Sequence, residues 1–196
     1  MKLTKIAGVP ILSFLLMLAS GANAFAQTES DFSVWKHPGV AKHPATDFGT
    51  VITGYTGSAR AVTIPATING SPVIGIEDYA FAGNTNITSV VIPDSVKNLG
   101  DYAFQNCTAL TSVTLPAYLK KIDNGAFSGC TSLKAVTVPA SVTKIGFQAF
   151  QGCTSLASIT VPSGVKRIEN WAFASCPALN SASQTAIRLR GYTGTF

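Results

Sequence analysis

Four cysteines, Cys107, Cys130, Cys153 and Cys176, recur at a constant step of 23 residues, while the two histidines, His37 and His43, stand apart from them in the segment "KHPGVAKHP". Thiols and imidazoles are the groups from which disulfides, metal centres and nucleophile–base pairs are made, and their spacing discriminates among these chemistries. Four cysteines in an exported chain ordinarily form two disulfides. Here they fall in one file that also accepts Asn84 one step earlier. An amide and a thiol have hydrogen bonding to loop backbone in common, and cross-linking they do not. Side chains stacked in parallel at ~4.8 Å also leave their Cβ atoms slightly too far apart for a disulfide. The file therefore reads as a structural ladder of Asn84, Cys107, Cys130, Cys153 and Cys176 made of buried free thiols. Cysteines in a straight line do not surround a metal tetrahedrally, and two histidines without a third ligand make no site either. The histidine segment reads as a linker or N-terminal flap, with a weak metal-binding or pH-sensitive tail as the alternative. No repeat joins a nucleophile to a histidine base, and the acids of the repeats are scattered, so neither an enzyme nor a cofactor is expected.

The cysteine file is one of several that keep the same step. Phe81, Phe104, Phe127, Phe150 and Phe173 form a second, Pro93, Pro116, Pro139 and Pro162 a third, and Ile87, Leu110, Leu133, Leu156 and Leu179 a fourth. A period of about 20 to 29 residues with aliphatic positions in register is the signature of a leucine-rich solenoid. Within one unit, "LTSVTLPAYLKKIDNGAFSGC", Leu110, Val113 and Leu115 point inward and Thr114 outward, as on a strand. Pro116 has no N–H for a ladder and closes that strand. Leu119, Ile122, Ala126 and Phe127 turn inward again. Each unit alone exposes an apolar side, so the units must stack, and their strands must pair into a parallel sheet along the stack. The fold class expected is a β-rich leucine-rich-repeat solenoid with short helical or turn corners.

The termini depart from the repeat. Lys2 and Lys5 precede the apolar run "IAGVPILSFLLMLA", and Ala24-Phe25-Ala26 meets the small-x-small cleavage rule, with Ala22-Asn23-Ala24 as the competing site. Residues 1–26 are thus expected to be a signal peptide, too short and too interrupted by Pro10 to span a bilayer as an anchor. Residues 27–50 are expected to be a flexible segment, 51–180 the solenoid with an N-terminal cap at the longer turn around Asn69-Gly70, and 181–196 a C-terminal cap in which Ile187 and Leu189 both lie on the last coil. Loss of Lys2 and Lys5 lowers the formal net charge from +5 to +3. Nucleic acid is a poor partner for an exported domain of that charge.

From Val51 to Leu179 the chain resembles the BspA-like leucine-rich-repeat surface proteins, whose repeat reads roughly L-x-x-I-x-I/L-P-x-x-V/L-x-x-I-x-x-x-A-F-x-x-C. The stretch "LKAVTVPASVTKIGFQAFQGC", Leu133 to Cys153, matches it column by column, and Asn84 is a departure where the family carries Cys. The resemblance implies a secreted or surface-displayed bacterial protein that binds other proteins, often adhesively.

Outward positions are the remaining places for function. One column reads Tyr79, Tyr102, Gly125, Gln148, Trp171 and its neighbour Asp78, Asp101, Asn124, Phe147, Asn170. Tyr and Trp dominate binding hot spots, which makes Tyr79, Tyr102, Phe147 and Trp171 candidate anchors; packing over the coil edge is the alternative. Lys97, Lys120 and Lys166 share one position and Lys121, Lys144 and Arg167 the next, a basic stripe suited to acidic proteins or anionic glycans, or else a solvated edge that blocks wrong stacking. Thr114, Thr137 and Thr160 line up behind Val91, a file that fits β-propensity on a solvent face and, less well, ordered water or ice. Two functions follow as expectations: a monomeric exported module that binds a protein or surface glycan, with no transmembrane segment in the mature chain; or a surface or matrix component that self-assembles through solenoid ends or edges. A well-covered C-terminal end favours the first.

Overall fold

The computed structural model describes residues 27–37 and 49–196. The expected leader, His43 and the remainder of 38–48 lie outside the described residues. Each repeat makes one coil. A three-residue strand runs up to the proline corner, a two-residue strand follows, and tight turns carry the Ala-Phe pair back to the start. The longer strands are β3 (Ala61–Thr63), β6 (Ser89–Val91), β8 (Ser112–Thr114), β10 (Ala135–Thr137) and β12 (Ser158–Thr160). They form one five-stranded sheet in the order β12-β10-β8-β6-β3, and their parallel registers align Val62 with Val90, Val90 with Val113 and Val136 with Ile159. The sheet runs one residue past the strands, because Ile92 N donates to Thr114 O and Val138 N to Thr160 O, before proline ends the supply of donors. A second ladder follows the corner: β9 (Lys121–Ile122), β11 (Lys144–Ile145) and β13 (Arg167–Ile168) pair in parallel. Parallel strands this short are stable because each coil's inward residues are covered by the next.

A file of aromatic rings runs through the core. Phe81, Phe104, Phe127, Phe150 and Phe173 are buried and stack ring on ring, with centroids 4.7 to 5.5 Å apart. The file is closed at both ends by rings from outside the repeat. Tyr55 stacks on Phe81 at 5.7 Å, and Tyr192 meets Phe173 edge-on at 5.8 Å.

At the N-terminal end, β2 (Gly49–Tyr55) pairs in parallel with β5 (Ser71–Ile76), which in turn pairs with β7 (Asn98–Leu99). The longer turn of the sequence is a hairpin between β4 (Thr67–Ile68) and β5, with Asn69 and Gly70 at φ of 51° and 73°. Residues 27–37 differ from the flexible segment expected of them: β1 (Phe32–His37) pairs antiparallel with β2, and Phe32 packs on Tyr55 at 5.2 Å. The alternation of Phe32, Val34 and their outward neighbours was masked in the sequence by the proline-rich stretch beside it. The Gln27 amide also closes the first edge of the main sheet, donating to Thr63 O at 2.6 Å and accepting from Thr63 N at 2.9 Å.

The C-terminal end is covered by a helix, α1 (Ser181–Arg188). Asn180 caps it, accepting from Ser183 N at 2.8 Å. Ser183 Oγ accepts in turn from Ile159 N at 3.0 Å, and Asn180 N donates to Ala157 O, so the helix start occupies the open edge of β12. Ile187 is buried as expected, but Leu189 is 72% exposed. An alternating strand would bury both; on a helix, residues two apart point to nearly opposite sides.

Candidate functional site: the aromatic edge

Two backbone positions in each coil adopt the left-handed conformation, both in the turns around the Ala-Phe pair. One is occupied by Gly83, Asn106, Gly129, Gly152 and Ser175. These are nearly all residue types that tolerate positive φ. The other is the column picked out by sequence: Tyr79 (φ 60°), Tyr102 (57°), Gly125 (57°), Gln148 (56°) and Trp171 (60°). Gly125 shows that glycine fits here, yet three of the five positions hold a ring that is uncommon at positive φ. Tyr79 and Trp171 are each 56% exposed, so burial does not explain them.

The rings form two pairs. Tyr79 and Tyr102 stack at 5.2 Å with planes 8° apart, and Tyr102 extends over the next coil, where a Cβ on Gly125 would collide with its ring. Phe147, from the neighbouring column, stacks with Trp171 at 5.8 Å. The four candidate anchors therefore lie on one edge as two pads on either side of Gly125. Sequence reading missed Tyr118, 66% exposed at the proline corner, because it stands alone in its column.

Beside the rings, Asp78, Asp101 and Asn124 form a side-chain ladder. Asp78 Oδ1 accepts from Asp101 N at 2.7 Å, Asp101 Oδ1 from Asn124 N at 3.0 Å, and Asn124 Oδ1 from Phe147 N at 3.1 Å. Asp78 and Asp101 line an open notch together with Glu77, Asn98, Gly100, Lys121 and Asp123. The Asp column was legible in sequence, but as a neighbour of the aromatic column and not as a charge.

One of the two basic columns stacks in register and is partly neutralised from within. Register places Lys121 beside Lys144 and Lys144 beside Arg167. Like charges so placed repel. Asp123 answers Lys121 at 2.8 Å, and Glu169 answers Lys144 and Arg167, both at 3.0 Å. Hydrogen bonding from Lys144 holds the Glu169 carboxyl below its ordinary range, while burial raises that of Asp123 against the pull of Lys121. Lys120 and Lys166 are exposed, with Thr143 interrupting their file.

The cysteine ladder faces inward. Cys107, Cys130, Cys153 and Cys176 are free and buried, and each thiol donates to the carbonyl oxygen of the phenylalanine 26 residues earlier, at 3.1 to 3.2 Å. Asn84 fills the same place with the opposite polarity, accepting from Asn86 N and Ile87 N. Burial raises every one of these thiols above its ordinary pKa, so they are not nucleophiles at neutral pH. His37 lies at the end of β1, apart from this ladder in sequence. Among the described residues, no three His, Cys, Asp or Glu side chains come together as metal ligands, and no helix is long and apolar enough to cross a membrane.

Short parallel strands stacked at a fixed repeat, an aliphatic and aromatic interior and a cap at each end define a leucine-rich-repeat solenoid. Residues 57–186 match the BspA type leucine rich repeat region in six copies, and the chain belongs to that family. It is similar in structure to a leucine rich cell surface protein from Faecalibacterium prausnitzii (32% identity, TM-score 0.64, 72% of this chain and 38% of that one). A leucine-rich repeat protein from Bacteroides ovatus is alike to the same degree (31% identity, TM-score 0.65, 75% of this chain and 38% of that one). A Treponema pallidum (T. pallidum) leucine rich repeat protein is covered over 98% of its length and covers 87% of this chain, at 26% identity and TM-score 0.55. This chain spans 38% of the first two, so their remaining length has no counterpart in it. No curated protein matches the chain.

Proposed function

We propose that this chain is a recognition module, exported by a bacterial cell and displayed on or released from its surface, that binds another protein through the aromatic edge. The family supports a protein-interaction or surface-protein role in general terms. The observation that carries the particular site is the left-handed column. Tyr79, Tyr102 and Trp171 occupy a conformation that costs an ordinary residue ~1–2 kcal/mol and costs glycine little. Strained residues that the fold does not require are characteristic of functional positions. The pads also offer what a partner's hot spots need, large rigid rings bordered by charge.

The covered ends count against assembly by end-to-end stacking. Phe173, Cys176 and Leu179 of the last coil are buried beneath α1 and Tyr192. A polymer growing through that end would have to displace the helix.

Capture of proteins from the surface extracts of neighbouring cells tests the proposal. The native protein is expected to retain a specific partner, and Tyr79→Gly/Trp171→Gly to lose it while staying folded. Retention by the double variant would remove the edge as the site. Capture that survives protease digestion of the extract would point to a glycan.

A further inference from the structure

We infer that Gln27 is a modification site gated by the fold: as the first residue of the processed chain it can cyclise to pyroglutamate, and its place at the edge of the main sheet prevents this for as long as the chain stays folded. The inference goes beyond the proposed function and uses none of its residues. It rests instead on removal of the leader after Ala26, which makes Gln27 N-terminal.

The sheet edge creates the need. β3 is the outermost strand of the main sheet and pairs on one side with β6. Ile64 N donates to Val91 O on that side. Alternate residues of a strand turn their N–H and C=O to opposite sides, so Thr63 points its pair outward, where no further strand of that sheet lies. The Gln27 amide takes the place of the absent strand. Its Nε2 donates to Thr63 O at 2.6 Å and its Oε1 accepts from Thr63 N at 2.9 Å. A primary amide carries the same donor and acceptor as a peptide group, so one side chain meets both needs.

The residues behind Gln27 hold it there. Thr28 N donates to Asp31 Oδ2 at 2.9 Å, Asn69 N to Glu29 Oε2 at 3.0 Å and Thr56 N to Asp31 O at 2.8 Å. A short stretch of chain tied at three points thus delivers the amide to the edge.

An N-terminal glutamine carries a nucleophile and an electrophile on one residue. The unprotonated α-amine attacks Cδ, so that the bond from N to Cδ forms and the bond from Cδ to Nε2 breaks. An amine proton passes to the departing nitrogen, which leaves as ammonia, and the product is a lactam ring. Neither oxidant nor cofactor is needed. In the folded chain the reaction meets two obstacles. At the tetrahedral stage the amide loses the planarity with which it meets Thr63, and in the product Nε2 is gone, so nothing donates to Thr63 O. Both hydrogen bonds therefore favour the unreacted amide, and the unfolded chain has neither. A chain that cyclises before folding is left with an open edge at Thr63, a template for another strand. One that folds first keeps both its amide and its α-amine.

Mass spectrometry of the exported chain, taken from the cell that processes it, decides the matter. The expected first residue is Gln27 with its amide intact. At one temperature and pH, the native chain is expected to lose ammonia about tenfold or more slowly than the same chain unfolded in urea, the factor that two net hydrogen bonds supply. Thr63→Pro removes the N–H from which Gln27 Oε1 accepts and no bond of the ladder, since that N–H faces outward from an edge strand. The variant is expected to fold and to cyclise about threefold or more faster than the parent. If it does not fold, the native and urea rates decide alone. A first residue other than Gln27, a native chain isolated already as pyroglutamate, or equal loss of ammonia by folded and unfolded chains overturns the inference. So does a folded Thr63→Pro that cyclises no faster than the parent.

Discussion

The thiol of Cys130 donates to the carbonyl oxygen of Phe104, 26 residues earlier and one coil back, at 3.1 Å. The contact recurs at Cys107, Cys153 and Cys176. It gives each buried thiol an acceptor, a carbonyl oxygen that also takes the backbone N–H three residues further on, and burial keeps solvent from every sulfur. All four thiols are therefore expected to resist a water-soluble disulfide reagent in the native protein and to react together once it is unfolded. Stoichiometric labelling under native conditions would show that the ladder opens.

The same burial makes stability fall in alkali. Desolvation pushes Cys107 up to about 12 and Cys176 to about 11, from an ordinary value of 9.0, and holds Cys153 well above it. Below pH 9 the thiols are protonated in the folded and unfolded chains alike and contribute no pH dependence. Above it the unfolded chain loses thiol protons that the folded chain keeps. Stability then declines by up to about 1.4 kcal/mol per thiol per pH unit, until the folded thiols ionise in turn. Urea midpoints are expected to be steady in this respect up to pH 9 and to drop between pH 9 and 11. Replacing Cys153 by Ala is expected to make that drop shallower.

The ring file is the axis of the core, and Phe127 is its centre, fully buried with a ring 5.5 Å away on each side. Phe127→Ala removes both stacking contacts and leaves a cavity between coils that cannot close without breaking their register. A loss of about 3–5 kcal/mol is expected, read from chemical unfolding. A loss below about 1 kcal/mol would mean that neighbouring coils collapse into the space, contrary to the rigidity of a hydrogen-bonded stack.

Much of this architecture was legible because a solenoid writes its third dimension into its sequence: residues 23 apart become neighbours in space, so a column of letters is a column of contacts. Pro116 announced the end of β8, and the Cys and Phe files announced ladder and spine. What escaped reading lies where that rule lapses. The capping strand at Phe32 has no partner at the repeat spacing. Leu189 was assigned by alternation, whereas its segment is helical. The left-handed backbone at Trp171 left no mark either, since a Trp in a repeat reads as a surface residue whatever its φ. Only Gly125 in the same column carries the conformational signal, and one glycine in five is weak evidence.

The C-terminal helix is held by its first residue. Asn180 caps Ser183 and also joins the edge of β12 through Ala157 O. Asn180→Ala is expected to cost about 1 kcal/mol, the usual value of an N-cap, because the backbone bond to Ala157 survives the change. Truncation after Asn180 is a different test. It uncovers Cys176 and Leu179 and leaves Ile159 N without the Ser183 acceptor. That variant is expected to associate on light scattering, since it leaves one apolar coil end uncovered on each molecule while the N-terminal end stays closed.

Trp171 separates function from stability most directly. Its φ of 60° is strained for an aromatic residue and natural for glycine, and its ring is 56% exposed. Trp171→Gly relieves about 1–2 kcal/mol of backbone strain. Against this stand the lost contact with Phe147, about 0.5–1.5 kcal/mol for a stacked pair, and the greater freedom of glycine in the unfolded chain, about 0.5–1 kcal/mol. The three terms nearly cancel, so the unfolding midpoint is expected to stay within about 0.5 kcal/mol of the parent. Phe147 would then lose partner capture less than Trp171 on substitution by Ala, since its 38% exposure offers a smaller surface. A residue present only for packing would behave otherwise: Trp171→Gly would lower stability by several kcal/mol and leave capture per folded molecule unchanged. Unfolding and capture measured on the same preparations distinguish the two, and the combination expected here is unaltered stability with lost binding.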